Sequence, residues 1–359
     1  MRPLLFRLIA LLLFFNGLVL KPLNAQLWVY PGAVGLRGGY GFIIAHKKDM
    51  DQLVTGHIPQ FEISWRRNYS GKKEWEKHHR YPNTGFALQW VNLNNPKTGH
   101  AISFVPYVGF PILKNRYIDA NLRVGTGLGL LTKTFDLTEN RKNNVISSRL
   151  NAAVDFLVSA NWKVSRNIWL MTGVSFTHYS NAAFKIPNAG INIASANAGV
   201  TVNLGRPVTV DHNRFPVLVK DWQWLVWTGI WLKETNPVNG SKYFAQTLSL
   251  NVMRRFSIGG LFGGGIDLMY DRSLQRRDPD LESPIRAALT GAYEIQFGKL
   301  SIPLQLGFYV YDPFKKDLFM YSRIGWRYRA GKRLVLNMTL KSHMAVADYA
   351  EMGFGYLIR

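Results

Sequence analysis

The chain has 359 residues, no cysteine and a formal net charge of +22. Without cysteine it has no disulfide, no thiolate metal site and no lipidated cysteine anchor. Beyond the first residues no stretch approaches the roughly 18 apolar residues of a membrane helix, so residence in a membrane would require a closed barrel, whose strands satisfy one another's backbone groups.

Residues 1–25 read as a secretory signal peptide. Arg2 and Arg7 give a basic start, Leu8 to Leu20 is almost wholly apolar, and Lys21-Pro22 breaks the run ahead of Ala25. Between 26 and 205, alternation and turn residues predict strands near 38–47, 57–69, 83–94, 99–112, 117–135, 148–165, 168–181 and 193–205. Along Leu122 to Leu130 the even positions are mostly apolar and the odd ones are Arg or Gly. In the next run Asn151 and Asp155 take the polar side, and Ala194 to Leu204 alternates most clearly. Segment 206–221 has two prolines and several charges and reads as a linker. Eight more strands are predicted in 222–359, near 224–236, 242–256, 259–271, 284–298, 300–312, 317–329, 333–343 and 348–358.

Strand after strand carries Asn, Asp, Arg and Gly on one face, which suits the lumen of a membrane barrel rather than an apolar core. The expected fold is all-β, an antiparallel up-and-down transmembrane β-barrel of about 16 strands, either two eight-stranded units or one larger barrel. Trp162, Trp169, Tyr179, Trp224 and Trp227 are expected in interfacial girdles. Basic pairs such as Lys47-Lys48, Arg66-Arg67 and Arg276-Arg277 fall near strand ends and suggest a rim for anionic head groups. An exported chain with dispersed charge does not point to nucleic acid.

The candidate chemistry lies at the end of the seventh predicted strand. His178 and Ser180 are two residues apart and share a strand face. The other even positions there, Leu170, Thr172, Val174 and Phe176, are the more apolar set, so the pair falls on the lipid side. An antiparallel return brings Asn192 beside His178. A base next to a hydroxyl is the minimum for nucleophilic ester cleavage. His343 has no serine nearby, Asp155 falls on the lumen side, and His78-His79-Arg80 reads as a solvated loop rather than a metal site.

His178-Tyr179-Ser180-Asn181 followed by Pro187-Asn188 and Gly190-Ile191 resembles the outer-membrane lipid A 3-O-deacylase (acyloxyacyl hydrolase) family. The resemblance covers the first half and is specific over about 20 residues. It implies an outer-membrane serine esterase acting on lipid A or lipopolysaccharide, with Ser180 as nucleophile, His178 as general base and Asn181 at the oxyanion site. No cofactor and no metal ligand are predicted. The family's glutamate position is occupied by Asn192, and the resulting His-Ser-Asn grouping resembles that of outer-membrane phospholipase A. Phospholipase action and an idle motif in a non-catalytic barrel, a pore or structural element, are the alternatives. The second half lies outside the resemblance.

Overall fold

The computed structural model describes residues 28–115, 117–211, 218, 220–344 and 346–358; the expected signal peptide and part of the expected linker lie outside them. A short pair, β1 (Trp28–Val29) with β10 (Val208–Thr209), precedes and follows the first barrel. That barrel comprises β2 (Gly32–Ile43), β3 (Ile58–Asn68), β4 (Asn83–Asn92), β5 (His100–Lys114), β6 (Ile118–Leu131), β7 (Leu150–Lys163), β8 (Ile168–Ser180) and β9 (Ile191–Leu204). It closes where β2 pairs with β9, from Gly32↔Leu204 to Ile43↔Ile193. The second comprises β11 (Trp222–Glu234), β12 (Lys242–Ser257), β13 (Gly260–Asp271), β14 (Ile285–Phe297), β15 (Leu300–Tyr311), β16 (Met320–Arg329), β17 (Leu334–His343) and β18 (Val346–Ile358). It closes through β11 and β18, from Trp224↔Ile358 to Ile230↔Met352. The choice left open by the sequence is thus resolved as two closed eight-stranded antiparallel barrels. Two short α-helices, α1 (Glu74–His78) and α2 (Ser273–Arg277), and a 3₁₀ helix (Lys48–Leu53) sit in connections.

Period-two alternation sorts side chains between wall and lumen. Leu36, Ile63, Leu88, Phe104, Leu128 and Val174 are exposed on the first wall, as are Phe262, Ile266, Leu289 and Phe354 on the second. The lumens are polar and filled. Arg123 donates to both oxygens of Glu62 at 2.7 Å and to Asp155 at 2.6 Å, while Arg37 reaches Glu62 at 2.6 Å. In the second barrel Arg323 bonds Glu351 at 2.6 Å and Asp267 at 2.7 Å. Eight strands enclose a space that side chains alone can fill. Asp155 is a lumen ion-pair partner, in line with its parity.

Two expectations need correction. Trp162 and Trp224 are exposed on the wall, but Trp169, Tyr179 and Trp227 are buried in the lumens rather than placed in girdles. Strand parity overrides aromatic preference: Trp169 and Tyr179 share the odd face of β8 with Ser175 and Thr177.

His79 is the second correction. It belongs to a packed contact between the barrels, not to a solvated loop. Its Nε2–H donates to the Gln296 carbonyl at 2.8 Å, and its ring lies 4.7 Å from Phe297 and 6.2 Å from Phe110. Burial, assisted by repulsion from His78, lowers its pKa from 6.5 to about 4, although the Gln296 bond opposes the shift. An unfolded imidazole binds its proton near 6.5. The contact's stabilisation is therefore full above that pH, is lost as pH falls towards about 4, and is constant below. The loss is at most about 3 kcal/mol. Comparing thermal unfolding at pH 7 and pH 4 should show it for the wild type, with a smaller drop for His79→Gln.

Candidate active site

The site lies where β8 leaves the first barrel and β9 enters it. The even residues of β8 face outwards, from exposed Ile168 and Leu170 to Val174 and Phe176, and His178 and Ser180 continue that row. They are covered there, Ser180 being 8% exposed, because the 181–190 loop and its neighbours lie over the strand end. The antiparallel register pairs His178 directly with Asn192. His178 Nδ1 is 2.6 Å from Asn192 Oδ1, and its Nε2 is 2.9 Å from Ser180 Oγ.

These two distances define a proton arrangement. The amide oxygen of Asn192 can only accept, so His178 carries its proton on Nδ1. Nε2 then accepts from the Ser180 hydroxyl, as a general base must. The three residues predicted from parity are thus brought together. Gly190 has φ +80, and a Cβ there would stand 2.8 Å from His178 Cε1. Only glycine combines that left-handed backbone with so close an approach to the imidazole.

Asn181 adjoins Ser180 but is committed to the loop. Its amide nitrogen donates to Ser148 Oγ and the Lys185 carbonyl, both at 2.9 Å, and its backbone N–H donates to Asn188 Oδ1 at 3.1 Å. Ala182 and Ala183 follow with left-handed φ angles of 51° and 60°. Neither N–H donates to a protein acceptor among the described residues.

The second barrel reaches this loop. Trp231 Nε1–H donates to the Ala182 carbonyl at 3.0 Å, and the Glu234 N–H to that of Ala183 at 2.9 Å. The Lys242 ammonium donates to the Phe184 carbonyl and sits 4.3 Å over the Phe184 ring. The second half of the chain therefore holds the segment that follows Ser180.

One residue escaped the sequence reading. His46 Nδ1 lies 3.1 Å from Asn192 Nδ2, and His46 Nε2 lies 3.0 Å from the Ala189 carbonyl. Barrel closure places it there: the β2–β9 ladder runs on through the Ile44 N–H, which donates to the Asn192 carbonyl at 2.8 Å. Nothing local to either segment signals this pairing.

Most of the long connections, including 44–57, 132–149, 181–190 and 272–284, share the end that bears the site, whereas 69–82, which holds α1, lies at the other. In outer-membrane barrels the longer loops are extracellular. Of the basic pairs, Lys47-Lys48, Arg276-Arg277 and Lys315-Lys316 lie at this end, whereas Arg66-Arg67, Lys72-Lys73 and Arg254-Arg255 lie at the other. Charge is therefore divided between the rims.

Residues 59–201 match the sequence profile described as lipid A 3-O-deacylase (PagL). Residues 222–359 match the profile described as acyloxyacyl hydrolase, C-terminal domain. No curated protein matches the chain in sequence. Among solved structures, the outer-membrane enzyme PagL is similar at 18% identity and a TM-score of 0.35, covering 47% of this chain and 99% of that one. Neisserial surface protein A is similar at 12% identity and a TM-score of 0.33, with coverages of 48% and 97%. A porin of Rh. blastica is similar at 8% identity and a TM-score of 0.19, with coverages of 91% and 100%.

Proposed function

The chain belongs to the lipid A 3-O-deacylase family of the outer membrane, and we propose that its first barrel hydrolyses an ester-linked acyl chain of lipid A through Ser180 and His178. The observation that carries this reading is the 2.9 Å contact between His178 Nε2 and Ser180 Oγ on the lipid-facing side of β8, at the long-loop end. A polar pair in that position meets an acyl chain of the outer leaflet sideways, without the lipid leaving the membrane.

In the proposed reaction Ser180 Oγ attacks the ester carbonyl carbon while His178 Nε2 takes the hydroxyl proton. The tetrahedral oxyanion is met by the backbone N–H groups of Ala182 and Ala183, since the amide of Asn181 is spent within the loop. Each such donor contributes about 3 kcal/mol to the barrier reduction. The bond from the carbonyl carbon to the sugar oxygen then breaks, and His178 returns the proton to that oxygen. Water, deprotonated by His178, attacks the acyl carbonyl carbon; the bond to Ser180 Oγ breaks, His178 returns the proton to Oγ, and the fatty acid leaves. Asn192 orients the imidazole throughout but, being neutral, does not offset its positive charge. Lys47 and Lys185 border the site loops and suit the phosphates of lipid A.

The pore reading is not favoured, because both lumens are filled by ion-paired side chains. Mass spectrometry of envelope lipids tests the proposal. Lipid A from cells expressing the wild type should lack one ester-linked acyl chain, and Ser180→Ala should restore it. Intact lipid A with altered glycerophospholipids would replace the proposal by phospholipase action, and identical lipids in both strains would replace it by a non-catalytic role.

A further inference from the structure

Asn192 creates a problem that a carboxylate would not. The two oxygens of a carboxylate are equivalent, but an amide presents either an acceptor or a donor. If the Asn192 amide turned over, its NH2 would face His178 Nδ1 and force the proton onto Nε2. Nε2 would then be unable to accept from Ser180.

We propose that His46 is the positioning residue that prevents this, by holding the Asn192 amide with its oxygen towards His178. The Ala189 carbonyl can only accept. It lies 3.0 Å from His46 Nε2, so Nε2 carries the His46 proton. Nδ1 of a neutral His46 is then an acceptor, and Asn192 Nδ2, 3.1 Å away, donates to it. This leaves Asn192 Oδ1 for the Nδ1–H of His178 at 2.6 Å, and His178 Nε2 for Ser180 at 2.9 Å. The distances fit this order: 2.6 Å is short even for N–H···O and far too close for N–H···N, whereas 3.1 Å suits N–H···N. Among the described residues the competing acceptor at His46 Nδ1 is the Ile44 carbonyl, at a longer 3.4 Å. A backbone carbonyl thus fixes, through two imidazoles and one amide, which nitrogen is free to activate the serine.

The inference rests on the roles proposed for Ser180 and His178, and a readout without lipid separates the two. The full chain, labelled with ¹⁵N-histidine and folded in detergent, reports ring protonation directly, with His178→Gln identifying the His178 signals. The wild type should show His178 protonated at Nδ1. His46→Ala, and His46→Phe, which keeps a ring without nitrogens, should raise the Nε2–H form. Modification of Ser180 by a fluorophosphonate should slow about ten-fold or more in both variants, bounded by the roughly 10⁴-fold cost of a wrong tautomer. In an Asn192→Glu background, where there is no amide to orient, His46→Phe should slow it little. An unchanged His178 tautomer, or an equal cost in both backgrounds, would reduce His46 to loop packing and overturn the inference. A tautomer shift with lipid A left intact by the wild type would uphold it and overturn only the proposed substrate.

Discussion

Replacing His178 by alanine should lower kcat for acyl release by about 10⁵–10⁶-fold, and Ser180→Ala should do the same. Without His178 the Ser180 hydroxyl keeps its proton near neutral pH and is a poor nucleophile; without Ser180 no acyl-enzyme forms. Because the two act as one unit, the double variant should be no slower than either single one. Additive losses would show two independent contributions and no shared proton transfer. Asn192→Ala should cost less, about 10⁴-fold, since it leaves the serine and its base in place and removes only the group that orients them. Fatty-acid release from detergent-folded protein measures all four. Neither His178 nor Ser180 belongs to a lumen ion-pair network, so denaturation midpoints should barely move and the losses can be assigned to chemistry.

Period two made the barrels legible, because lumen and lipid demand opposite side chains at successive residues. By itself it places His178, Ser180 and Asn192 on one face of adjoining strands. Local alternation was weaker at strand beginnings: β2 starts at Gly32 rather than 38, since Gly32-Ala33-Val34-Gly35 presents small residues on both faces. Closure was the larger gap. Whether sixteen strands make one barrel or two depends on the pairing of β9 with β2 and of β18 with β11, between segments far apart in sequence. His46 was hidden for the same reason, as it meets Asn192 only across that closing seam. His79 was hidden because its neighbour, Phe297, belongs to the other barrel. Trp169, Tyr179 and Trp227 were misplaced by residue type, although the parity that placed His178 outwards already put Tyr179 inwards.

Arg323→Met should destabilise the second barrel by about 3–5 kcal/mol, the cost of leaving buried carboxylates unpaired. Arg323 is fully buried, as are Asp267 and Glu351, and it bridges them with contacts of 2.7 and 2.6 Å. Its guanidinium also lies 4.9 Å from the Trp227 ring and bonds Gln305 at 2.8 Å, so methionine loses a planar donor as well as a charge. Adding Asp267→Asn and Glu351→Gln removes the charges together and should recover most of the loss, because the penalty lies in the unpaired ions rather than in the missing pair. Denaturant unfolding in detergent measures both variants; a triple variant as unstable as the single one would place the cost in packing. The single variant also bears on the reaction, since Trp231 and Glu234 of the second barrel hold the carbonyls of Ala182 and Ala183 beside Ser180. At a temperature where only the second barrel of Arg323→Met has melted, deacylation should fall although the first barrel stays folded. Unchanged deacylation would mean that the loop keeps its shape without the second barrel.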